Sequence, residues 1–244
     1  MSQPIIETND LSVYYGRQRG IHALNMTVEP GEVYGFLGPN GAGKTTTLRV
    51  LLDIIRPTAG RAAVFGLDCH RDGVAIRRRV GYIPGELMLY TQLRAEEYLD
   101  MVTRVGGGQS DPDYRRRLCA LLDLDPRRPM HTYSRGNKQK VGLVAAFMRR
   151  PDLLILDEPT SGLDPLIQQN VLDLVREARA DGRTVLFSSH VLPEVQAVCD
   201  RVGIIRHGHL IAVEEVAALR RKKMRRVEID VDGALAAEDL SAVP

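Results

Sequence analysis

Four short stretches of this 244-residue chain hold side chains able to handle a phosphate. The first is Gly38-x-x-x-x-Gly43-Lys44-Thr45, set between the apolar run "VYGFL" and a segment where Leu48, Leu51, Leu52 and Ile55 recur at helical spacing. Gly38, Gly41 and Gly43 let the backbone turn sharply and bring bare N–H groups against phosphate oxygens. A helix starting near Lys44 adds about half a positive charge at its beginning. Lys44 offers a full cation to β- and γ-phosphates, and the Thr45 hydroxyl suits Mg²⁺. Pro39, Asn40, Ala42 and Thr46 complete a loop of the kind that cradles a nucleoside triphosphate.

The second stretch, "DLLILDEP" (152–159), is an apolar strand ending in Asp157 and Glu158. Asp157 can hold Mg²⁺ through water, and Glu158 can orient or deprotonate a water in line with the γ-phosphate. The third, "TVLFSSH" (184–190), repeats the geometry and ends at His190, a candidate γ-phosphate contact. The fourth, "YSRGN" (133–137), packs Ser134, Gly136 and Asn137 into four positions and exposes backbone N–H groups to whatever approaches.

The elements that must position these groups follow from the surrounding pattern. "VYGFLGP", "LLILD" and "TVLFSS" read as strands of a parallel sheet flanked by helices. "IIETNDLSVYY" and "IHALNMTVEP" read as N-terminal antiparallel strands beside it. Between the first two phosphate-handling stretches, "LRAEEYLDMVTRVGGG" and "DYRRRLCALLDL" read as amphipathic helices joined by "GGGQSDP". The expectation is an α/β P-loop NTPase fold with a parallel core sheet, an N-terminal antiparallel β subdomain and an inserted helical subdomain over about residues 87–147. Toward the end, "VGIIRHGHLIAV" reads as a hairpin turning at His207-Gly208, with His207 and His209 a turn pair. "EEVAALRRKK" reads as a short helix, "RRVEIDV" as a strand, and "RRKKMRR" (220–226) as a solvated charge run.

Composition narrows the class. A 44% hydrophobic fraction supplies a core, and a net charge of +2 builds no global field to recruit nucleic acid. No stretch approaches eighteen uninterrupted apolar residues, and "MSQPIIETND" is not a secretory signal. Cys69, Cys119 and Cys199 stand in no ligand spacing and suit structural thiols in a reducing cytosol.

Taken in order, "GPNGAGKTT", "YSRGNKQKV", "LLILDEPTSGLD" and "LFSSH" resemble the nucleotide-binding subunit of an ATP-binding cassette transporter. The resemblance runs to about residue 220 and implies an ATPase domain over 1–220 with a short C-terminal extension, 221–244. It implies ATP and Mg²⁺ as cofactors, and two cassettes packed head to tail as a homodimer or paired cassette. Ser134, the Gly136 N–H and Asn137 then face the γ-phosphate held by the partner's P-loop. Asp164 matches the loop that crosses the dimer seam, and Tyr15 the aromatic that stacks on adenine. With one P-loop per chain, the active species is expected to be a dimer.

The sequence departs from the family at informative places. Arg135 and Asn137 stand where a second glycine and a glutamine are usual. In "VGYIPGE", Gly85 stands where a glutamine normally touches Mg²⁺. Glu86 is expected to take over as metal ligand, directly or through water, or else the metal keeps one more water. The expected function is hydrolysis of ATP to drive transport, export being the expected direction, through separate permease subunits at the cytoplasmic face of the membrane. No nucleic acid partner and no membrane span are expected. Rival readings are an importer cassette, a soluble cassette acting on ribosomes or nucleic acid, and a regulator that binds ATP without turnover.

Overall fold

The computed structural model describes residues 3–16, 18–107 and 110–221. The chain opens with β1 (Ile6–Tyr15), β2 (Gln18–Val28) and β3 (Val33–Leu37), then α1 (Lys44–Leu51), β4 (Ala59–Val64) and β5 (Leu67–Asp68). It continues with α2 (Gly73–Arg79), β6 (Val80–Ile83), α3 (Ala95–Val105), α4 (Pro112–Leu121) and α5 (Arg135–Phe147). The last elements are β7 (Leu153–Asp157), α6 (Pro165–Ala180), β8 (Thr184–Ser189), α7 (Leu192–Val198), β9 (Arg201–Arg206), β10 (His209–Glu215) and α8 (Val216–Arg221).

The strands form two sheets. Antiparallel strands lie in the order β2-β1-β4-β5, and the larger sheet runs β10-β9-β3-β8-β7-β6. Its five strands from β9 to β6 are parallel neighbours, while β10 folds back antiparallel on β9. The parallel core expected from the sequence is therefore part of a mixed sheet, because the hairpin at His207-Gly208 adds a reversed strand at the edge.

Strand β7 shows why the centre is apolar on both faces. Successive side chains alternate across the pleat. Leu154 and Leu156 join Val185 and Phe187 in the core beneath α3 to α7; Leu153 and Ile155 join Leu186, Phe36 and Leu48 of α1 beneath the antiparallel sheet. Both faces are covered, so the strand reads as a continuous apolar run. Each fully buried Leu or Ile contributes about 1.5–3 kcal/mol. That burial fixes the strand end where Asp157 and Glu158 emerge.

Several boundaries differ from the sequence expectation. Helix α1 ends at Leu51 rather than continuing to Ile55, because Asp53 takes a φ of +53°. Leu52 and Ile55 still reach the same core from the turn. Strand β8 stops at Ser189, leaving His190 in the following loop. Helix α5 starts at Arg135, inside the "YSRGN" stretch, with Ser134 as its cap. Strands β4 to β6 and helices α2 and α6 are additional elements. "RRVEIDV" and most of "RRKKMRR" lie outside the described residues.

Candidate functional site

The P-loop connects β3 to α1. Gly43 sits at φ +111°, and a Cβ there would lie 2.7 Å from Ile21 Cγ2 and 2.8 Å from the Gly20 carbonyl oxygen. Only glycine lets the loop press this closely against β2 at a positive φ. Lys44, 5% exposed, donates from Nζ to the Gly38 carbonyl at 2.6 Å and lies 3.3 Å from that of Pro39. The same ammonium pairs with Glu158 Oε1 at 3.1 Å. A phosphate arriving here meets a cation already in place and competes with a carboxylate for it.

Asp157 is fully buried, a position that is costly for a charge unless both oxygens are met. Thr45 Oγ1 donates to Oδ2 at 2.7 Å and Ser188 Oγ to Oδ1 at 2.8 Å. Ser188 was not singled out from the sequence, although the ladder sets it directly beside Asp157. Burial pushes the nearby Tyr82 phenol up to about 12, with the Asp157 charge adding and Arg49 offsetting. The hydroxyl of Thr45 and the carboxylate of Asp157 are hard oxygen donors of the kind Mg²⁺ takes.

Glu158 adopts φ +51°, a left-handed conformation uncommon for a non-glycine residue. Its N–H donates to the Ser188 carbonyl at 3.1 Å, and its Oε2 lies 2.7 Å from His190 Nδ1. Lys44, Thr45, Asp157, Glu158 and His190 thus converge from three strand ends. A cavity of about 260 Å³ is lined by Tyr15, Gly20, residues 39–46 and Glu158. Tyr15 reaches Thr46 Oγ1 at 3.4 Å, whereas neighbouring Tyr14 turns away to His22 Nδ1 at 2.7 Å.

The remaining candidates lie apart from that cavity. Ser134 is exposed at the start of α5, where its Oγ accepts from the Asn137 N–H at 3.2 Å. The hydroxyl proton stays available for an outside acceptor. Gly136 lies against the loop leading to Asp164: a Cβ on it would come within 2.9 Å of the Gly162 carbonyl. Asn137 borders a smaller cavity with Asp123, Asp125, Arg128 and Tyr133. Asp164 is exposed and caps α6, accepting from the Ile167 N–H at 3.0 Å. Glu86 is exposed; the residue facing the metal-type donors is Gly85, whose added Cβ would sit 3.2 Å from Asp157 Oδ2. Also missed from sequence is Gln139, whose amide lies 3.2 Å from the Pro159 carbonyl and 3.4 Å from that of Glu158. A polar residue inside a buried helix face was the available signal.

Fold and cavity together define a P-loop nucleoside triphosphatase. Residues 21–161 match the family described as ABC transporter. The bacitracin transport ATP-binding protein BcrA of Enterococcus faecalis is 35% identical over 98% of this chain and 78% of its own length. The daunorubicin/doxorubicin resistance ATP-binding protein DrrA of Streptomyces peucetius is 40% identical over 85% of this chain and 64% of its own. A solved ATP-binding subunit of an ABC transporter superposes with a TM-score of 0.80 at 33% identity, covering 89% of this chain and 92% of that one. A dimeric ATP-binding cassette in a post-hydrolysis state superposes at 0.77 with 20% identity, covering 86% and 98%, a likeness of fold. The chain belongs to the ABC transporter family and is an ATP-binding, ATP-hydrolysing cassette.

Proposed function

We propose that two copies of this chain, packed head to tail, power export through separate membrane permease subunits from the cytoplasmic face. The observation that carries this reading is the division of the site. The P-loop cavity is lined by Tyr15, Gly20, loop residues and Glu158, while Ser134, Arg135 and Asp164 lie exposed elsewhere. A second copy can bring its Ser134 and Gly136 N–H to the γ-phosphate, adding a helix start that carries no acidic residue in its first turn. The export direction is supported by relatives named for bacitracin transport and for daunorubicin/doxorubicin resistance. Among the described residues no helix is long and apolar enough to cross a membrane, which fits a motor working on a separate permease.

Within each site, Lys44 and the loop N–H groups bind the β- and γ-phosphates and Tyr15 stacks on the base. Glu158 holds the attacking water and takes its proton, while His190 steadies Glu158 and reaches the γ-phosphate. Thr45 and Asp157 would hold Mg²⁺, which when bound supplies positive charge against the phosphate oxygens. Glu86, through water, or an extra water beside Gly85 would complete that shell.

The test is complementation. Lys44→Ala loses its own phosphate cradle but keeps Ser134, and Ser134→Ala has the converse defect. Lys44→Ala alone should be nearly inactive and Ser134→Ala slowed about ten- to a hundredfold; mixed, they form one intact composite site, and ATP hydrolysis should recover. No recovery, together with parental turnover that is independent of protein concentration, would show that each chain hydrolyses ATP alone.

A further inference from the structure

The turn carrying Glu158 is fastened from the His190 side by a carboxylate outside every motif. Glu194, on α7, accepts from Thr160 Oγ1 at 2.8 Å with one oxygen and from Ser189 Oγ at 2.7 Å with the other. Thr160 is 3% exposed and Ser189 fully buried, so neither hydroxyl has ready recourse to water. Ser189 Oγ also accepts from the Val191 N–H at 2.9 Å, which leaves its proton to point at Glu194. The clamp therefore has one polarity: two donors converge on one carboxylate, the stronger kind of hydrogen bond.

The two hydroxyls belong to different loops. Thr160 lies between Glu158 and Asp164, on the turn whose backbone leaves β7; Ser189 immediately precedes His190 at the end of β8. Helix α7 does not need the carboxylate to dock, because Val195, Val198 and Cys199 already bury into the core. Glu194 does not line the nucleotide cavity either. We propose that Glu194 is a positioning residue for hydrolysis: it locks the His190 loop to the Glu158–Asp164 turn, so that the imidazole meets the Glu158 carboxylate at 2.7 Å. This rests on the roles given above to Glu158 and His190. Without the clamp, two buried hydroxyls lose their acceptor and the loops are free to part. Small displacements of a reacting group are costly in rate while leaving remote binding contacts intact.

The experiment compares full-length Glu194→Ala, Glu194→Gln and Glu158→Gln with the parent, measuring kcat and KM for ATP hydrolysis and affinity for a non-hydrolysable ATP analogue. Glu194→Ala should lower kcat about ten- to a hundredfold, since a 1 Å misplacement has effects of that order. Its analogue affinity should stay within about twofold, the signature of a loss confined to the transition state. Glu194→Gln keeps the shape and one acceptor and should recover most of kcat. The proposal is overturned if Glu194→Ala turns over at the parental rate, if kcat and affinity fall together, or if Gln is as slow as Ala. Glu158→Gln separates the two levels. If it is inactive while Glu194→Ala is not, the clamp alone fails; if it hydrolyses ATP at the parental rate, the roles assigned to Glu158 fail, and the clamp with them.

Discussion

Lys44 and Ser134 each stand at the start of a helix with a side chain suited to phosphate, yet the chain treats them in opposite ways. Lys44 is nearly buried and meets the carbonyls of Gly38 and Pro39 and the carboxylate of Glu158. Its loop is pinned from outside as well, since the Gly208 N–H at the far hairpin donates to the Ala42 carbonyl at 2.9 Å. Ser134 is exposed, and its hydroxyl oxygen accepts from the Asn137 N–H of its own helix. One helix start is a finished wall; the other is left open to solvent. Under the proposed head-to-tail packing the open half is what a second copy covers, and that contrast is open to direct attack.

The largest effect should come from the finished wall. Glu158→Gln keeps the shape but removes the proposed base, and a general base is typically worth about 10²–10⁴-fold in rate. Steady-state phosphate release should fall in that range while nucleotide still binds; release at the parental rate would show that Glu158 is not the base. Ser134→Ala probes the open surface and should cost less. Losing one hydrogen bond to a charged phosphate removes about 1.5–3 kcal/mol, or about ten- to a hundredfold in turnover. ATP affinity of the isolated chain should not change, since Ser134 is not in the cavity. Losing the helix cap adds about 1 kcal/mol of destabilisation, visible in the thermal midpoint. If affinity and turnover dropped equally in the dilute protein, the two halves would not be separable.

Gly85→Ala sharpens the comparison within the finished wall. A Cβ 3.2 Å from Asp157 Oδ2 is tighter than ordinary contact, and that oxygen is already fixed by Thr45. The carboxylate must give by a few tenths of an ångström, so turnover should fall modestly, by about two- to tenfold. Its apparent Mg²⁺ requirement should rise. A variant with the parental magnesium curve would show that position 85 has room to spare.

How much of this was legible in the sequence depended on whether the signal was local. The P-loop and the two apolar strands ending in acids or a histidine announce themselves because loop, strand and ligand group are contiguous. The two antiparallel N-terminal strands and the hairpin at His207-Gly208 follow from short-range alternation and turn chemistry. What escaped was long-range or understated. Ser188 sits inside the "LFSSH" stretch but touches Asp157 31 positions away, and Glu194 reaches Thr160 34 positions away; neither partner can be read from the neighbouring residues. Strand β4 reads "AGRAAV", too weakly apolar to stand out, and its place is set by pairing with β1. Helix α6 did carry a signal, Asp164 before Pro165, a cap followed by proline in the first turn. The resemblance assigns that aspartate to the dimer seam, and its side chain also caps the helix. Periodicity extends helix α1 to Ile55 because it cannot see the left-handed turn at Asp53.

The smallest predicted effect concerns how the two regions respond to alkali. Cys69 sits in the core shared with the P-loop helix, and burial pushes its thiol up to about 12, with Asp68 and Asp53 adding to the shift. Cys119 lies on α4 in the core on the other side of the large sheet; burial raises it too, but the Arg115 guanidinium pulls back. A raised pKa means the fold favours the neutral thiol. That stabilisation is fully present below the unfolded thiol pKa, about 8.5, and is lost as pH climbs toward the folded value. Denaturant midpoints of the parent should therefore decline above about pH 8.5. Cys69→Ala, whatever its cost at neutral pH, should decline less steeply, and Cys119→Ala should follow the parent more closely. Equal slopes for all three proteins would place the alkaline sensitivity elsewhere, and burial around the P-loop helix would then not exceed that around α4 in the way their thiols indicate.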